Sequence, residues 1–576
     1  MITGPCSLSA KCVRSLLFSL ALCLFSGVAF GQTDHWTGTT GVWSDPANWD
    51  NGKPVAGENI VVSTSGANAT DDFSLAIGTL TLGSSDTVSI ADGVALNASG
   101  TIDNAGTIQL SSAGSNTSLQ ITGNVSLSGK GKVILGTTGP NYIVGASGAG
   151  TEVLTNASTI QGAGNIGNGL MGLANTGTIN ANSSLGNLFI NVSAAGLNNT
   201  GILEATAGGN LTIQGPANSF TNYNASTDTL TGGTLTANSG NIYFAGSNNG
   251  IVTLAGRLTE EYKGQVINTT TGARAIANIA NILSGAALTT SAGFTQPGVL
   301  NVAGALNLIN GAVVNVGSLA QIVNNELTGG QWVFDVNLNI TGTPAKILTN
   351  SASVILSDGT IKNTVDGSDA FASLTSNKKT LRLQSHARLT TTGTLTNSNQ
   401  MKVDTLCKLT IGGTGTSYTQ IGGKILMDGQ IIGAVKILAG TYLGAGSIAG
   451  NVLVGGSGTA TFSLGDTNLS ALVKVTGTYT QMSNAILSAP IGGTTLGTQY
   501  SQLQVTGAAH LAGTLTAPLL GTFVPTVDET FTVMTATSLT GSFSNSTIAI
   551  NSSEHFAISY PAQSVLLTVV SGPAAQ

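Results

Sequence analysis

A chain that cleaves or transfers something must bring ionisable or nucleophilic side chains together, and this one has few. Of 576 residues, 19 are Lys or Arg, 25 are Asp or Glu and four are His, so charged residues make up 8%, against ~25% in ordinary soluble domains. His35, His386, His510 and His555 are scattered and show no metal-ligand spacing. Polysaccharide lyases and glycoside hydrolases need paired carboxylates, or carboxylates beside Arg or Lys, on one groove. Three sets have the right residue types: Glu260-Glu261 with Arg257 and Lys263, Asp366 with Asp369, and Asp404 with Lys402. Each reads as a solvated turn or outer strand face. Successive side chains on a strand point to opposite sides, so Glu260 and Glu261 would not act together. Lys378, Lys379, Arg382, His386 and Arg388 form the one basic cluster. It reads as a charged outer face, with an acidic glycan as its alternative partner. Asp366-Gly367-Ser368-Asp369 lacks the repeated glycine pattern of a calcium loop. No phosphate loop ending in Gly-Lys-Ser/Thr occurs. No catalytic residue, metal site or cofactor is expected. The lack of a basic surface argues against nucleic acid as a partner.

The N-terminus carries an export signature. Lys11 and Arg14 precede an apolar run from Leu16 to Phe30, and Ala29-Phe30-Gly31 places small residues before Gln32. That is the layout of a cleavable secretory signal spanning residues 1–31. The run is shorter than the ~20 residues a membrane-spanning helix needs. Cleavage removes Cys6, Cys12 and Cys23 and leaves Cys407 alone, so no intramolecular disulfide can form. Basic residues fall from 19 to 17 against 25 acidic ones, a mature charge of −8. The mature chain is expected to be secreted or displayed at the cell surface, with no transmembrane segment. Core packing and backbone hydrogen bonds would hold it together. Cys407, in Lys402-Val403-Asp404-Thr405-Leu406-Cys407-Lys408-Leu409, reads as a small residue within a strand.

The elements that must position any site are strands. Gly is abundant, 78 residues, and hydrophobic residues reach 41%, too many for a disordered chain of small net charge. Thr79-Leu80-Thr81-Leu82, Thr87-Val88-Ser89-Ile90 and Asn210-Leu211-Thr212-Ile213 alternate apolar with Thr, Ser or Asn, the period of a half-buried strand. Residues 272–290 could suit a helix through Ile276, Ile279 and Leu283, but Asn278, Asn281 and Gly285 favour strand. Asn104-Ala105-Gly106, Asn175-Thr176-Gly177 and Asn199-Thr200-Gly201 each introduce a strand. A loose repeat in the low twenties indicates a solenoid, whose units bury their apolar faces only by stacking. Asparagines stacked this way can hydrogen-bond along the axis. Residues 61–460 would give about 18 coils of about 22 residues each, a rod of ~85 Å at ~4.8 Å per strand.

The two ends differ from the middle. Trp36, Trp43 and Trp49 fall within residues 32–60. They are expected to cap the open end, since exposed strand edges invite aggregation. Stacking on sugar rings is the alternative, which makes these three the candidate ligand-binding residues. Residues 461–571 read as a separate closing β domain with Phe523, Phe531, Phe543, Phe556 and Tyr560 as its aromatic core, followed by a tail, 572–576.

The tryptophan segment with Asn48-Trp49, Gly52 and Pro54 resembles the start of exported bacterial proteins with autotransporter-associated β-strand repeats, and the Asn-x-Gly units resemble their solenoid. The stretch through Tyr500-Ser501-Gln502-Leu503-Gln504-Val505-Thr506-Gly507 to Gly541-Ser542-Phe543 resembles the C-terminal part of such passengers. The resemblance implies an all-β fold, a right-handed parallel β-helix with a Trp-containing N-terminal cap and a C-terminal β domain, adhesin-like in use. It supplies no catalytic residues. No membrane β-barrel pattern of alternating ~10-residue strands follows the solenoid. The expectation is therefore a non-enzymatic, adhesin-like or surface-structural solenoid facing carbohydrate or a cell-surface ligand. A β-helix polysaccharide lyase or glycoside hydrolase is the alternative.

Overall fold

The computed structural model describes residues 31–574, Thr467 excepted. The predicted signal thus lies almost wholly outside the described residues, as does the end of the tail. The described chain is all-β: short strands joined by turns, with 3-10 turns at Pro46–Asn48 and Ala370–Ser373 and no α-helix among the described residues. The strands wind into a parallel β-solenoid of about 20 turns. Residues 272–290 follow the strand reading in part, with strands at Asn281–Ile282 and Ala287–Thr290 and turns between.

The alternating sequence dictates the packing. Thr87–Ile90 and Thr107–Leu110 each expose the first and third side chain partly and bury the second and fourth. Parallel in-register pairing then places like upon like. One inward column runs Val88, Ile108, Val133, Ile160, Ile179, Leu203, Leu235 and Leu258. It continues through Leu288, Leu306, Trp332, Val354, Leu381, Met401, Ile425, Tyr442, Phe462 and Leu487 to Leu515. Every member is at most 1% exposed. Where aromatics meet in this column they stack, as Tyr442 and Phe462 do with centroids 4.1 Å apart. Each buried side chain of this size contributes roughly 1.5–3 kcal/mol relative to exposure.

Coil length is far less regular than the column. It runs from the 17 positions separating Val435 and Val452 to the 32 separating Ile202 and Thr234. The extra residues leave at the corners, where loops meet water.

The Asn-x-Gly signal marks one of these corners. Asn156, Asn175 and Asn199 end successive strands and turn inward, each at most 1% exposed. Asn156 Nδ2 donates to Asn175 Oδ1 at 2.8 Å, and Asn175 Nδ2 to Asn199 Oδ1 at 2.7 Å. A second run repeats the device: Asn350 to Asn377 at 2.8 Å, Asn377 to Asn397 at 2.6 Å, and Asn397 to Gln420 Oε1 at 2.9 Å. The glycine that follows is required by close approach. A Cβ on Gly201 would lie 2.1 Å from the Gly177 carbonyl oxygen, and one on Gly177 2.1 Å from that of Ser158.

Parallel pairing continues through the expected boundary at 460. Ala460–Leu464 pairs in parallel with Ala485–Ser488, which pairs with Thr514–Thr516, and Ala508–Leu511 pairs with Ser538–Gly541. Longer corner loops stretch the spacing there while the inward column keeps its register. Two short antiparallel hairpins project from the middle of the chain, Tyr223–Asn224 with Thr229–Leu230 and Ile322–Val323 with Glu326–Leu327, and a larger antiparallel sheet closes the end: Thr530–Thr535 pairs with Ser564–Ser571, which pairs with Glu554–Ser559, which pairs with Thr547–Ala549. The expected aromatic core is present there, with Phe531 edge-on to Phe556 at 5.9 Å and to Phe523 at 6.3 Å. At the other end, the segment expected to be only a cap already contributes solenoid strands. Thr33–His35 pairs with Asn59–Val62, and Thr40–Val42 with Asn68–Asp71. Cys407 is also relocated. It is buried, but in the turn just before the strand Lys408–Ile411, where Leu406 at φ 69° reverses the chain.

Replacing Asn175 with Ala would leave Asn156 Nδ2 and Asn199 Oδ1 without their mutual partner in a dry corner. The expected cost is about 2–4 kcal/mol, read as lost hydrogen-exchange protection in the flanking coils. The outward Thr236→Ala should stay within ~0.5 kcal/mol.

Candidate functional site

The tryptophans were the first candidate. Trp36 pairs as an antiparallel bridge with Trp49, and the 3-10 turn Pro46–Asn48 between Trp43 and Trp49 is capped by Asp45 Oδ1, which accepts from Ala47 N at 3.0 Å. The indoles meet edge to face, Trp36 to Trp49 at 5.1 Å and Trp43 to Trp49 at 5.4 Å. They are 2%, 0% and 5% exposed for Trp36, Trp43 and Trp49. No indole face is therefore open for a sugar ring. The rings spend their apolar area on one another.

Two buried carboxylates of the same N-terminal coils were not singled out in the sequence. Asp71 ends the strand Asn68–Asp71 at an inward position, in register with Ile90. It is fully buried, and neither oxygen has a hydrogen-bond partner. Burial pushes its pKa up to about 8. Asp34 is 1% exposed and is raised to about 6, first by burial and then by its hydrogen bond to Asp50. Asp50, fully exposed, is lowered mainly because it accepts from the His35 backbone N–H. The signal that could have found them is the inward phase of their strands.

Of the predicted carboxylate sets, two divide between more and less buried positions, and Asp404 with Lys402 stays together. Glu260 was expected in solvent and is instead fully buried. Its strand phase, set by Leu258 two residues earlier, points it inward. Oε1 accepts from Val266 N at 2.9 Å, and Oε2 pairs with the Arg274 guanidinium, whose other nitrogen donates to the Gly293 carbonyl. Glu261 faces outward, as strand alternation requires. Asp404 binds Arg382 Nη2 at 2.6 Å and Lys402 Nζ at 3.0 Å, which neutralises part of the basic cluster. Asp366 is exposed and lowered, first by the Ser368 hydroxyl. Cys407 has its thiol raised by burial, the opposite of an activated nucleophile.

One groove does join residues from two predicted sets. A hollow of about 320 Å³ lies elsewhere on the rod, but this one, of about 350 Å³, brings together Asp358, Asp369, His386 and Arg388. Asp369 caps the 3-10 turn Ala370–Ser373 by accepting from Phe371 N at 2.8 Å, and also accepts from the Thr360 hydroxyl at 2.9 Å. Burial raises its pKa. His386, with φ 78°, and Arg388 flank it in the groove across one coil. Asp369, His386 and Arg388 thus line one groove, in which the Asp369 carboxyl is already engaged by Phe371 N and the Thr360 hydroxyl. The other three histidines lie on separate coils. Among the described residues no group of three or more His, Cys, Asp or Glu could hold a metal ion.

These features define a parallel β-solenoid of about 20 turns with polar outer faces. Compared with known proteins, the chain matches no family model and no curated sequence.

Two outcomes are expected at the N-terminal coils. Asp71 binds its proton more tightly folded than unfolded, so stability falls as pH rises from about 4 to about 8 and is level above. Asp71→Asn removes that loss. Its thermal unfolding should coincide with wild type near pH 4 and lie higher at pH 8.5, by a difference on the order of a few kcal/mol. Trp43→Ala should cost about 3–5 kcal/mol by opening a cavity, measured by denaturant unfolding, and leave glycan binding unchanged.

Proposed function

We propose that this protein is an exported, non-enzymatic solenoid, adhesin-like or surface-structural, that presents hydroxyl- and amide-lined faces to carbohydrate or another surface. The observation that carries the reading is a ladder of outward side chains on the longest sheet. It runs Thr70, Ser89, Gln109, Ile134, Gln161, Asn180, Glu204, Thr236, Thr259, Thr289 and Asn307, one per coil. Apart from Ile134 and Glu204 these are uncharged donors and acceptors, and held at a fixed strand spacing they can bind a repeating polymer with little loss of conformational freedom. The predicted signal supports secretion or display at the cell surface. N-terminal sequencing of the exported protein should begin at Gln32.

The test is direct. The labelled mature protein is offered to cells and to a glycan array, and retention on at least one of them is expected. Absence of retention on both would end the adhesive reading.

The groove of Asp369, His386 and Arg388 favours a second reading, cleavage of an acidic polysaccharide. The leading reading expects no reducing ends and no unsaturated uronate from a panel of plant and microbial glycans. Products that vanish in His386→Ala and Asp369→Asn would replace it.

A further inference from the structure

The sheet holding Asn141–Gly145, Gly164–Gly167, Asn187–Asn191, Asn210–Gln214, Ile242–Phe244 and Val266–Asn268 carries a second outward row. In register it reads Ser118, Tyr142, Asn165, Phe189, Thr212, Tyr243, Ile267. The three aromatic rings therefore occupy every second coil, and a small polar side chain stands between each pair. All three are half-buried, with their neighbours on the strand pointing into the core. At ~4.8 Å per strand the rings repeat every ~9.6 Å along the axis.

Rings on adjacent coils would stack on each other, as Tyr442 and Phe462 do inside. Alternation prevents that and leaves a space. Between Tyr142 and Phe189, over Asn165, lies an open hollow of about 320 Å³, edged by Asn187 and Asn168.

A parallel row of amides runs beside the rings. Asn210 Nδ2 donates to Asn187 Oδ1 at 3.3 Å, Asn241 N to Asn210 Oδ1 at 3.2 Å, and Asn241 Nδ2 to the Tyr243 hydroxyl at 3.2 Å. These bonds fix the amides in one line alongside the aromatic row. Neither row holds a charged side chain. Residues 133–256 contain no Lys, Arg or His, and their acids are Glu152, Glu204 and Asp228. Glu152 is buried, Glu204 belongs to the other sheet, and Asp228 binds Ser247 and Asn249 in a corner loop.

We infer that this face, Tyr142, Phe189 and Tyr243 with the line Asn187, Asn210 and Asn241, is the binding surface for one extended chain of a neutral polysaccharide. The rise of two coils is close to the length of two sugar units in an extended β-linked chain, so every second pyranose ring meets the next aromatic in the row. The amides meet the equatorial hydroxyls. An anionic polymer finds no cation here, and a protein partner gains little from rings spaced apart on a polar sheet. The inference rests on the carbohydrate-presenting reading above and names its ligand class and its site.

The experiment uses the mature secreted protein in depletion assays against insoluble cellulose, chitin, mannan and a β-1,3-glucan, with alginate and pectate as the acidic arm. Wild type should bind at least one neutral glycan, and 1 M NaCl should leave that binding unchanged. The triple variant Tyr142→Ala, Phe189→Ala, Tyr243→Ala should lose at least tenfold in affinity when assayed well below its own, lowered thermal transition, where its β-sheet circular dichroism matches wild type. Tyr142→Phe should retain binding, and Asn165→Trp, which fills the hollow and keeps the rings, should weaken it. Neutral-glycan binding untouched in both the triple variant and Asn165→Trp would overturn this site and leave the broader reading standing. So would binding confined to the acidic glycans and abolished by salt. If no glycan is bound at all, the inference fails, and cell retention alone then decides the broader reading.

Discussion

Register between successive coils is the constraint on which the rest depends. Backbone hydrogen bonds run along the rod, so each strand must meet the one before it residue for residue, and the inward side chain must then fall on an apolar neighbour. The column from Val88 to Leu515 satisfies this without interruption across coils that differ almost twofold in length. A slip of one residue would turn every inward side chain of that coil to solvent. Corner loops carry no such demand, which is why all the irregularity of the chain collects there.

The polar groups inside the solenoid follow from the same constraint. A strand that ends at a corner needs its last inward residue to satisfy the backbone groups of the turn. An asparagine can do so while passing one amide bond to the coil above. The runs Asn156 to Asn199 and Asn350 to Gln420 do this, and Glu260 with Arg274 closes a wider coil by an ion pair instead. Breaking one side of such a pair is severe, because the survivor is a buried charge. Asp71 is the exception: an inward carboxyl without a partner, placed where the tryptophans meet the first coils.

Most of the architecture was legible because it is local. Alternation gave the strands, and Asn-x-Gly gave the corners, down to the amide ladder. What was not legible depends on phase and on contacts across coils. Glu260 looked solvated because its residue type outweighed the phase set by Leu258. Residues 461–571 looked like a separate domain because long loops stretched the spacing, while parallel pairing with the preceding coils runs on as far as Gly541. Trp36, Trp43 and Trp49 were read rightly as an end structure, but only the folded segment shows that their faces are closed. Asp369 and His386, seventeen positions apart and assigned to different sets, meet because one coil brings them to the same groove. The row Tyr142, Phe189, Tyr243 is invisible along the chain, since its members stand 47 and 54 positions apart and align only through three-dimensional register.

Uneven coils also make the rod a store of length. Folded, each coil adds only ~4.8 Å to the axis. Released, the 17 to 32 residues it contains span about 60–110 Å. Because neighbouring coils are joined by hydrogen bonds lying along the direction of pull, a load on the two ends peels them one at a time rather than shearing them together. Under tension the molecule pays out slack in discrete steps, a shock absorber whose grip on whatever holds its middle can outlast the loss of its outermost turns.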